Sequence, residues 1–229
     1  MKNVVVGRGR TVRLGPWRDK PGVASVSTYI DQPIDAHAVE DILERLRRQG
    51  YERAVTAALL PSEQKAFTAT GFEIERELVL LRRPLDQPIP KAAARLRRWR
   101  RHRLDDVLAI DGAAFDDFWR FDEVGLREAL DATPHRVLRV DADKPPRGYA
   151  LSGVARDRAY LQRLAVHPDA AGSGLGTALL LDALRWMRWR GADNAFVNTQ
   201  LDNVRALDLY ERQGFGREPD GLAILAREL

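Results

Sequence analysis

The stretch Val166-His-Pro-Asp-Ala-Ala-Gly-Ser-Gly-Leu-Gly176 decides the fold of the chain. An apolar, β-prone run over residues 159–166 precedes Pro168, which cannot continue a sheet ladder. Glycines follow at alternate positions, and a leucine-rich pattern typical of a helix runs over residues 177–190. This order of strand, glycine turn and helix start exposes backbone N–H groups at the positive end of a helix dipole. We therefore expect the turn to bind an anion such as a phosphate.

The turn glycines Gly172, Gly174 and Gly176 admit three interpretations. A tight turn without a ligand is the first. A Rossmann fingerprint requires G-x-G-x-x-G with an acidic residue about 20 positions later, whereas the spacing here is G-x-G-x-G. A Walker A loop requires Gly-Lys-Ser/Thr, which is missing. The turn alone leaves the choice open, and the residues downstream decide it.

A second segment follows at a matching distance, with the pattern Asn203-(x)2-Ala206-(x)2-Leu-Tyr210-(x)3-Gly214-Phe215. Together the two segments resemble the acetyl-CoA signature of the GNAT N-acetyltransferase superfamily, over about residues 91–229 and most strongly over 160–215. The resemblance implies an α/β chain with a mixed sheet whose central strands splay apart. It also implies an acyltransferase that moves acetyl from acetyl-CoA to a primary amine of a small molecule or protein, by direct attack and without a metal.

The resemblance assigns a role to each part of the motif. The strand before the turn is implied to align the pantetheine arm, as an added strand would pair with an open edge. The turn is implied to hold the pyrophosphate, and Tyr210 to be the catalytic general acid that protonates the departing thiolate. The implied cofactor-binding residues are Leu164, Ala165, Val166, Ala171, Gly172, Ser173, Gly174, Leu175, Gly176, Thr177, Asn203 and Ala206.

Two residues depart from the family's pattern. Ala171 stands where the family usually has Gln or Arg, so we expect weakened rather than abolished cofactor binding. Asn198 stands where ribosomal-protein alanine N-acetyltransferases, a similar branch, carry a glutamate base. Asparagine cannot accept a proton at neutral pH, although it can orient a water molecule. The identity of the general base therefore stays open.

The resemblance places the amine acceptor near the loop at residues 115–122, between two helices and the strand before the turn. The loop's carboxylates could attract a cationic amine. The alternative is that they are solvated loop acids and that the aromatic rings beside them belong to the core or to a lid. The candidate acceptor-binding residues are Phe118, Trp119, Asp122 and Asn198.

Residues 84–91 are proline-rich and lack periodicity, which predicts a linker between domains at 1–83 and 92–229. The first domain repeats the order of the second: a helix ending at Gly50, a strand, and a helix ending at Gly71 before a phenylalanine. It has no glycine turn, so we expect a smaller, degenerate GNAT-like β-α-β-α-β domain that cannot hold CoA. Chance similarity of two such segments is the alternative.

Composition narrows the function classes. None of the 229 residues is cysteine, which excludes disulfides and thiolate metal sites and agrees with the cytoplasmic location that we expect. No apolar run approaches the roughly 20 residues that span a bilayer, and the N-terminus lacks a signal-peptide core. The four histidines are scattered, so we expect no metal site. The net charge of +4 permits an anionic partner, for which CoA is sufficient.

Two other function classes stay open. A CoA-binding sensor or pseudoenzyme is favoured by Ala171 and Asn198. A nucleic-acid-binding module would use the basic run Arg95–Arg103, but leucine and tryptophan interrupt that run at strand spacing, which favours a solvated strand edge. Trp186 and Trp189 share a face of the helix after the turn, so we expect them to pack in the core.

Overall fold

The computed structural model describes residues 2–7, 9–28, 32–99 and 104–229. The strands are β1 (Lys2–Val6), β2 (Arg10–Pro16), β3 (Val23–Ser27), β4 (Arg53–Thr56), β5 (Glu73–Pro84), β6 (Leu96–Arg98), β7 (His135–Asp141), β8 (Gly148–Ala155), β9 (Arg158–Val166), β10 (Asn194–Gln200), β11 (Gly216–Arg217) and β12 (Leu222–Glu228). The α-helices are α1 (Ala36–Arg48), α2 (Pro61–Thr68), α3 (Asp105–Ala114), α4 (Glu123–Asp131), α5 (Leu175–Trp189) and α6 (Val204–Arg212). The chain forms two compact units, a first unit of residues 1–80, 198–203 and 218–229, and a second unit of residues 81–197 and 204–217.

The first unit is built on strands in the order β1-β2-β3-β4-β12-β5. In the described part of this unit, β3 and β4 pair in parallel and the other neighbouring strands pair antiparallel. Helix α1 begins after Asp35, whose carboxylate accepts the N–H of Ala38 at 2.9 Å. Its apolar face is fully buried in the core of the unit, through Ile42, Leu43 and Leu46. The last strand, β12, pairs with β4 and β5 of this unit, although the sequence analysis assigned it to the second domain.

The second unit is built on strands in the order β10-β9-β8-β7-β6, with α5 packed on β7, β8 and β9 and with α3 packed on β8 and β9. Leu180, Leu184 and Met187 form a fully buried stripe along α5. The core packing expected for Trp189 is wrong, because its side chain is 73% exposed. Trp189 follows Met187 by two positions, which is about 200° around a helix and points away from the stripe.

The central strands of this unit splay apart, which confirms the expectation. The parallel ladder between β9 and β10 has three residue pairs and ends at Phe196, while β9 runs on to its last residue paired with β8 only. At the end of β9 the N–H of His167 donates to the carbonyl of Arg147 at 2.7 Å. Antiparallel pairs alternate, so the N–H and C=O groups of Leu164 and Val166 point away from β8, toward the side that β10 leaves unpaired.

A β-bulge interrupts β9 just before this open edge. Leu151 of β8 lies opposite Arg163, and the next residue, Ser152, lies opposite Leu161. Gln162 is therefore the extra residue of the bulge. Bulges twist a strand locally and re-aim its side chains, and they are common next to active sites.

The substitution Gly148→Ala tests the packing of α5 on β8. A Cβ at this position would lie 2.8 Å from Leu175 Cδ2 and 3.0 Å from Leu179 Cδ1, both of them buried side chains. Overpacking of this kind should lower the free energy of unfolding by about 1–3 kcal/mol, measured by urea denaturation.

The matched control is Gly112→Ala in α3, where a new Cβ would have nothing within 4 Å. Alanine is more stable than glycine inside a helix by roughly 0.5–1 kcal/mol, so this variant should gain stability. A Gly148→Ala protein as stable as the wild type would contradict the close packing of α5 on β8.

Candidate active site

The glycine bend, residues 171–174, joins the end of β9 to α5. Gly172 and Gly174 have φ values of +77° and +81°, in the left-handed region that favours glycine. Among the residues that the structure describes, nothing lies within 4 Å of the position that a Cβ would take at either glycine, and none of their side chains fills the bend. Ser173 is engaged locally, because its hydroxyl donates to the carbonyl of Ala170 at 2.7 Å. The bend is therefore open to a ligand on its outer side.

Unpaired backbone donors converge on this bend. Within the residues that the structure describes, the N–H groups of Gly172, Gly174, Gly176 and Thr177 have no hydrogen-bond partner. The first turn of α5 contains no acidic residue that would compete for these donors. Because the helix dipole adds positive potential at the same place, the bend suits a phosphate or pyrophosphate group.

The open edge of β9 leads directly to the bend. Ala165 is buried in the core of the second unit, and Leu164 and Val166 are half-buried. A Cβ placed on Gly176 would lie 3.6 Å from Val166 Cγ2 and 3.7 Å from Leu209 Cδ2. The start of α5 thus lies against both the end of β9 and the helix α6 that contains Tyr210.

Tyr210 is a buried phenol, 6% exposed, whose ring centroid lies 5.7 Å from that of Phe215. Within the described part of the chain its hydroxyl has no hydrogen-bond partner. Burial raises the pKa of Tyr210, and the opposing effect of the Arg163 charge is smaller. The phenol therefore holds its proton at neutral pH and can act as a proton donor.

The remaining candidate residues are divided between the two units. Asn203 donates from Nδ2 to Oε1 of Gln200 at 3.1 Å, and both residues belong to the first unit. Asn198 also belongs to the first unit and is exposed on β10. Ala206 is half-buried in α6 of the second unit. Roles for these residues in cofactor or acceptor binding stay predictions.

The acids of the loop at 115–122, here called the aromatic loop, have local partners. Asp116 accepts the N–H groups of Phe118 and Trp119 at 2.9 and 3.0 Å. Asp117 pairs with Arg120 of the same loop at 3.0 Å. Asp122 caps α4 by accepting the N–H of Gly125 at 2.6 Å. These contacts do not test acceptor binding. A role in it for Phe118, Trp119 and Asp122 stays a prediction.

Sequence reasoning missed a buried polar cluster of Asp111, Tyr149 and Arg163 below the aromatic loop. Asp111 accepts from the Tyr149 hydroxyl at 2.5 Å and from Nε of Arg163 at 2.7 Å. One signal could have found it: Asp111 follows the buried Leu104 and Val107 by seven and four positions, which puts a carboxylate on the inward face of α3.

Other predicted features contribute little to this site. Residues 100–103 of the basic run lie outside the described residues, whereas Trp99 is buried and the Arg97 guanidinium lies 4.7 Å from its ring centroid, so these two pack together. No group of three or more His, Asp or Glu in the described ranges could hold a metal ion. Over those same ranges, no helix has the length and apolar character to cross a membrane.

Comparison with known proteins agrees with this geometry. Residues 97–215 match the model of the Acetyltransferase (GNAT) family. A mycothiol acetyltransferase from Clavibacter sepedonicus is 29% identical over 228 residues, which cover 86% of this chain and 74% of the relative. One from Gordonia bronchialis is 30% identical over 224 residues, covering 82% and 71%.

A solved tandem GNAT protein from the clavulanic acid biosynthesis pathway has the same fold. It superposes with a TM-score of 0.67 at 14% identity and covers 97% of this chain and 80% of its own. The likeness in fold therefore extends over both halves of the chain. With the family match and the relatives above, the chain belongs to the acetyltransferase (GNAT) family and is an acyltransferase.

Proposed function

We propose that the second unit transfers the acetyl group of acetyl-CoA to a primary amine by direct attack, without a covalent enzyme intermediate. The observation that carries this proposal is the open glycine bend with four unpaired N–H groups at the end of an unpaired strand edge. The N–H donors of the bend suit a diphosphate, and the unpaired backbone groups of the β9 edge suit an arm that contains amides. The edge leads directly to the bend, as the amide arm of acetyl-CoA leads to its diphosphate.

The backbone would hold the cosubstrate with little help from side chains. The N–H groups of Gly172, Gly174, Gly176 and Thr177 would bind the pyrophosphate, and the free groups of the β9 edge would bind the amides of the arm. Bound acetyl-CoA supplies an activated acyl group and a thiolate leaving group. Because backbone donors dominate, Ala171 costs one side-chain contact and does not remove the phosphate site.

Tyr210 would supply the proton that the leaving thiolate needs. Its Oη carries a proton at neutral pH, as an ordinary phenol does, and burial raises the pKa of Tyr210 further. Its hydroxyl forms no hydrogen bond within the described residues, so it can turn toward a reacting sulfur. A positioned general acid of this kind typically contributes about 10²–10⁴-fold to the rate.

The acceptor that we propose is an amine of the kind used by the mycothiol acetyltransferases, because these relatives are similar over most of the chain. A CoA-binding protein without transferase activity is the second candidate, and Ala171 and Asn198 favour it. Both candidates bind CoA, so only an assay of acetyl transfer to an amine can distinguish them.

Calorimetric titration with CoA, followed by acetylation assays with cysteinyl-glucosamine, glucosamine, lysine and an alanine-initiated peptide, tests both. We expect CoA binding together with acetylation of the free amine of cysteinyl-glucosamine. Binding without acetylation of any amine would select the non-catalytic protein. Absence of CoA binding would contradict both proposals.

The substitution Tyr210→Phe tests the general acid. We expect kcat to fall by roughly 10²–10⁴-fold with the CoA dissociation constant unchanged, because only the proton donor is lost. The control is Tyr51→Phe, which removes the hydroxyl of a tyrosine packed against the core of the first unit. Unchanged turnover in Tyr210→Phe would remove this role from Tyr210.

The substitution Gly174→Ala tests the bend. A Cβ strains the left-handed backbone by roughly 1–2 kcal/mol, so CoA affinity should fall about tenfold by calorimetry as the N–H groups move. Gly191→Ala is the matched control: Gly191 also has φ +81° and open space, and it follows the opposite end of α5. Equal loss of CoA affinity in the two variants would show that strain alone, and not the bend, is responsible.

A further inference from the structure

The buried carboxylate of Asp111 joins four separate segments of the second unit. It is completely buried in α3. Its Oδ2 accepts from the Tyr149 hydroxyl of β8 at 2.5 Å and from Nε of Arg163 of β9 at 2.7 Å. Its Oδ1 accepts from Nη2 of Arg163 at 2.8 Å and from the N–H of Phe121 at 2.6 Å. A buried charge is tolerated when it is paired and hydrogen-bonded in this way.

Arg163 connects this carboxylate to the aromatic loop. Its Nη2 also donates to the carbonyl oxygen of Trp119 at 2.6 Å. Its guanidinium carbon lies 3.5 Å from the ring centroid of Phe115 and 4.2 Å from that of Phe121. The planar fork of arginine makes both the paired hydrogen bonds and the ring stacking, and a lysine ammonium can do neither. One side chain of β9 thus fixes the loop at three of its residues.

The position of Arg163 along β9 links the loop to the reaction. It directly precedes Leu164, one of the two residues whose backbone groups face the open edge, and directly follows the bulge residue Gln162. Its charge also acts on the phenol of Tyr210, since it opposes the burial effect on the pKa of that group. The residue therefore lies between the loop expected to receive the acceptor and the groups proposed for the cosubstrate and the leaving group.

We propose that Arg163, held by Asp111 and Tyr149, is a positioning residue that sets the aromatic loop against β9 and thereby aligns the acceptor amine for attack. This inference rests on the proposed acetyl transfer. Arg163 does not itself bind the acceptor, because its Nε and Nη2 already donate to Asp111 and Trp119 and its side chain is only 10% exposed. It acts through the loop.

The substitution Arg163→Lys tests the proposal because it keeps the charge and removes the fork. With acetyl-CoA and cysteinyl-glucosamine, we expect kcat/KM for the amine to fall by about 10–10²-fold, since misplacing a reactant by about 1 Å can cost this much. The KM for acetyl-CoA should stay near the wild-type value, because the cosubstrate is proposed to bind backbone groups of β9 and α5. Amide exchange of residues 115–122, measured by mass spectrometry, should become at least roughly tenfold faster as the loop loosens.

Two further variants keep the test decisive. Arg139→Lys is the matched control, because Arg139 on β7 pairs with Asp182 at 3.0 Å and lies outside the proposed site, so no kinetic constant should change. Tyr149→Phe removes one hydrogen bond to Asp111 and should produce a smaller change in the same direction, even if Arg163→Lys fails to fold.

Two results would overturn the proposal. One is that kinetic constants and loop exchange in Arg163→Lys stay within twofold of the wild type. The other is that both KM values and the thermal midpoint worsen together, which would indicate general destabilisation. A wild-type protein that acetylates no amine would instead contradict the proposed acetyl transfer. Even in that case, amide exchange of residues 115–122 that is no faster in Arg163→Lys than in the wild type would show that Arg163 does not hold the aromatic loop.

Discussion

The early end of the ladder between β9 and β10 is the constraint on which the site in the second unit depends. A complete parallel ladder would satisfy the backbone groups of Leu164 and Val166 with a neighbouring strand. Because the pairing stops, those groups form an edge inside the unit, and backbone polar groups require partners from a ligand or from water. Helix α5 begins a few residues further along, so its unpaired N–H groups continue the same row of donors. One interruption in the sheet thus prepares sites for both an amide chain and a phosphate.

Such an open edge is tolerable because the opposite side of α5 is well packed. Leu179, Leu180 and Leu184 are fully buried, and burial of a leucine side chain contributes about 1.5–3 kcal/mol. The unpaired N–H groups of Gly172 and Gly174 lie at an exposed bend, where water can hydrate them when no ligand is bound, and those of Gly176 and Thr177 follow in the half-buried first turn of α5. Gly148 allows this packing, since the first turns of α5 approach β8 too closely for a side chain there. Stability and binding therefore come from different faces of one helix.

The sequence predicted the parts of the site that depend on local backbone chemistry. Glycines at alternate positions after Pro168 predicted the bend, whereas the role of Tyr210 was implied by the resemblance to the GNAT family and stays a prediction. The cluster around Asp111 was not predictable to the same degree, because its partners come from α3, β8 and β9 and meet only through tertiary packing. The pairing of β12 with β4 and β5 was missed for a similar reason: strand patterns give the existence of a strand and not its neighbours. Trp189 was expected in the core because it shares a helical face with Trp186, yet the buried stripe of α5 runs through Met187 on another face of the helix.

Asp111 is as important as Arg163, because the buried guanidinium needs a paired carboxylate. A general acid must hold its proton until the leaving group needs it, and burial favours the neutral phenol. An unpaired guanidinium nearby would favour the phenolate and work against that role. Asp111 supplies a negative charge beside the guanidinium in a bidentate pair, so the cluster fixes the aromatic loop with a rigid cationic fork whose own charge is paired. The position of the aromatic loop therefore depends on both members of this ion pair.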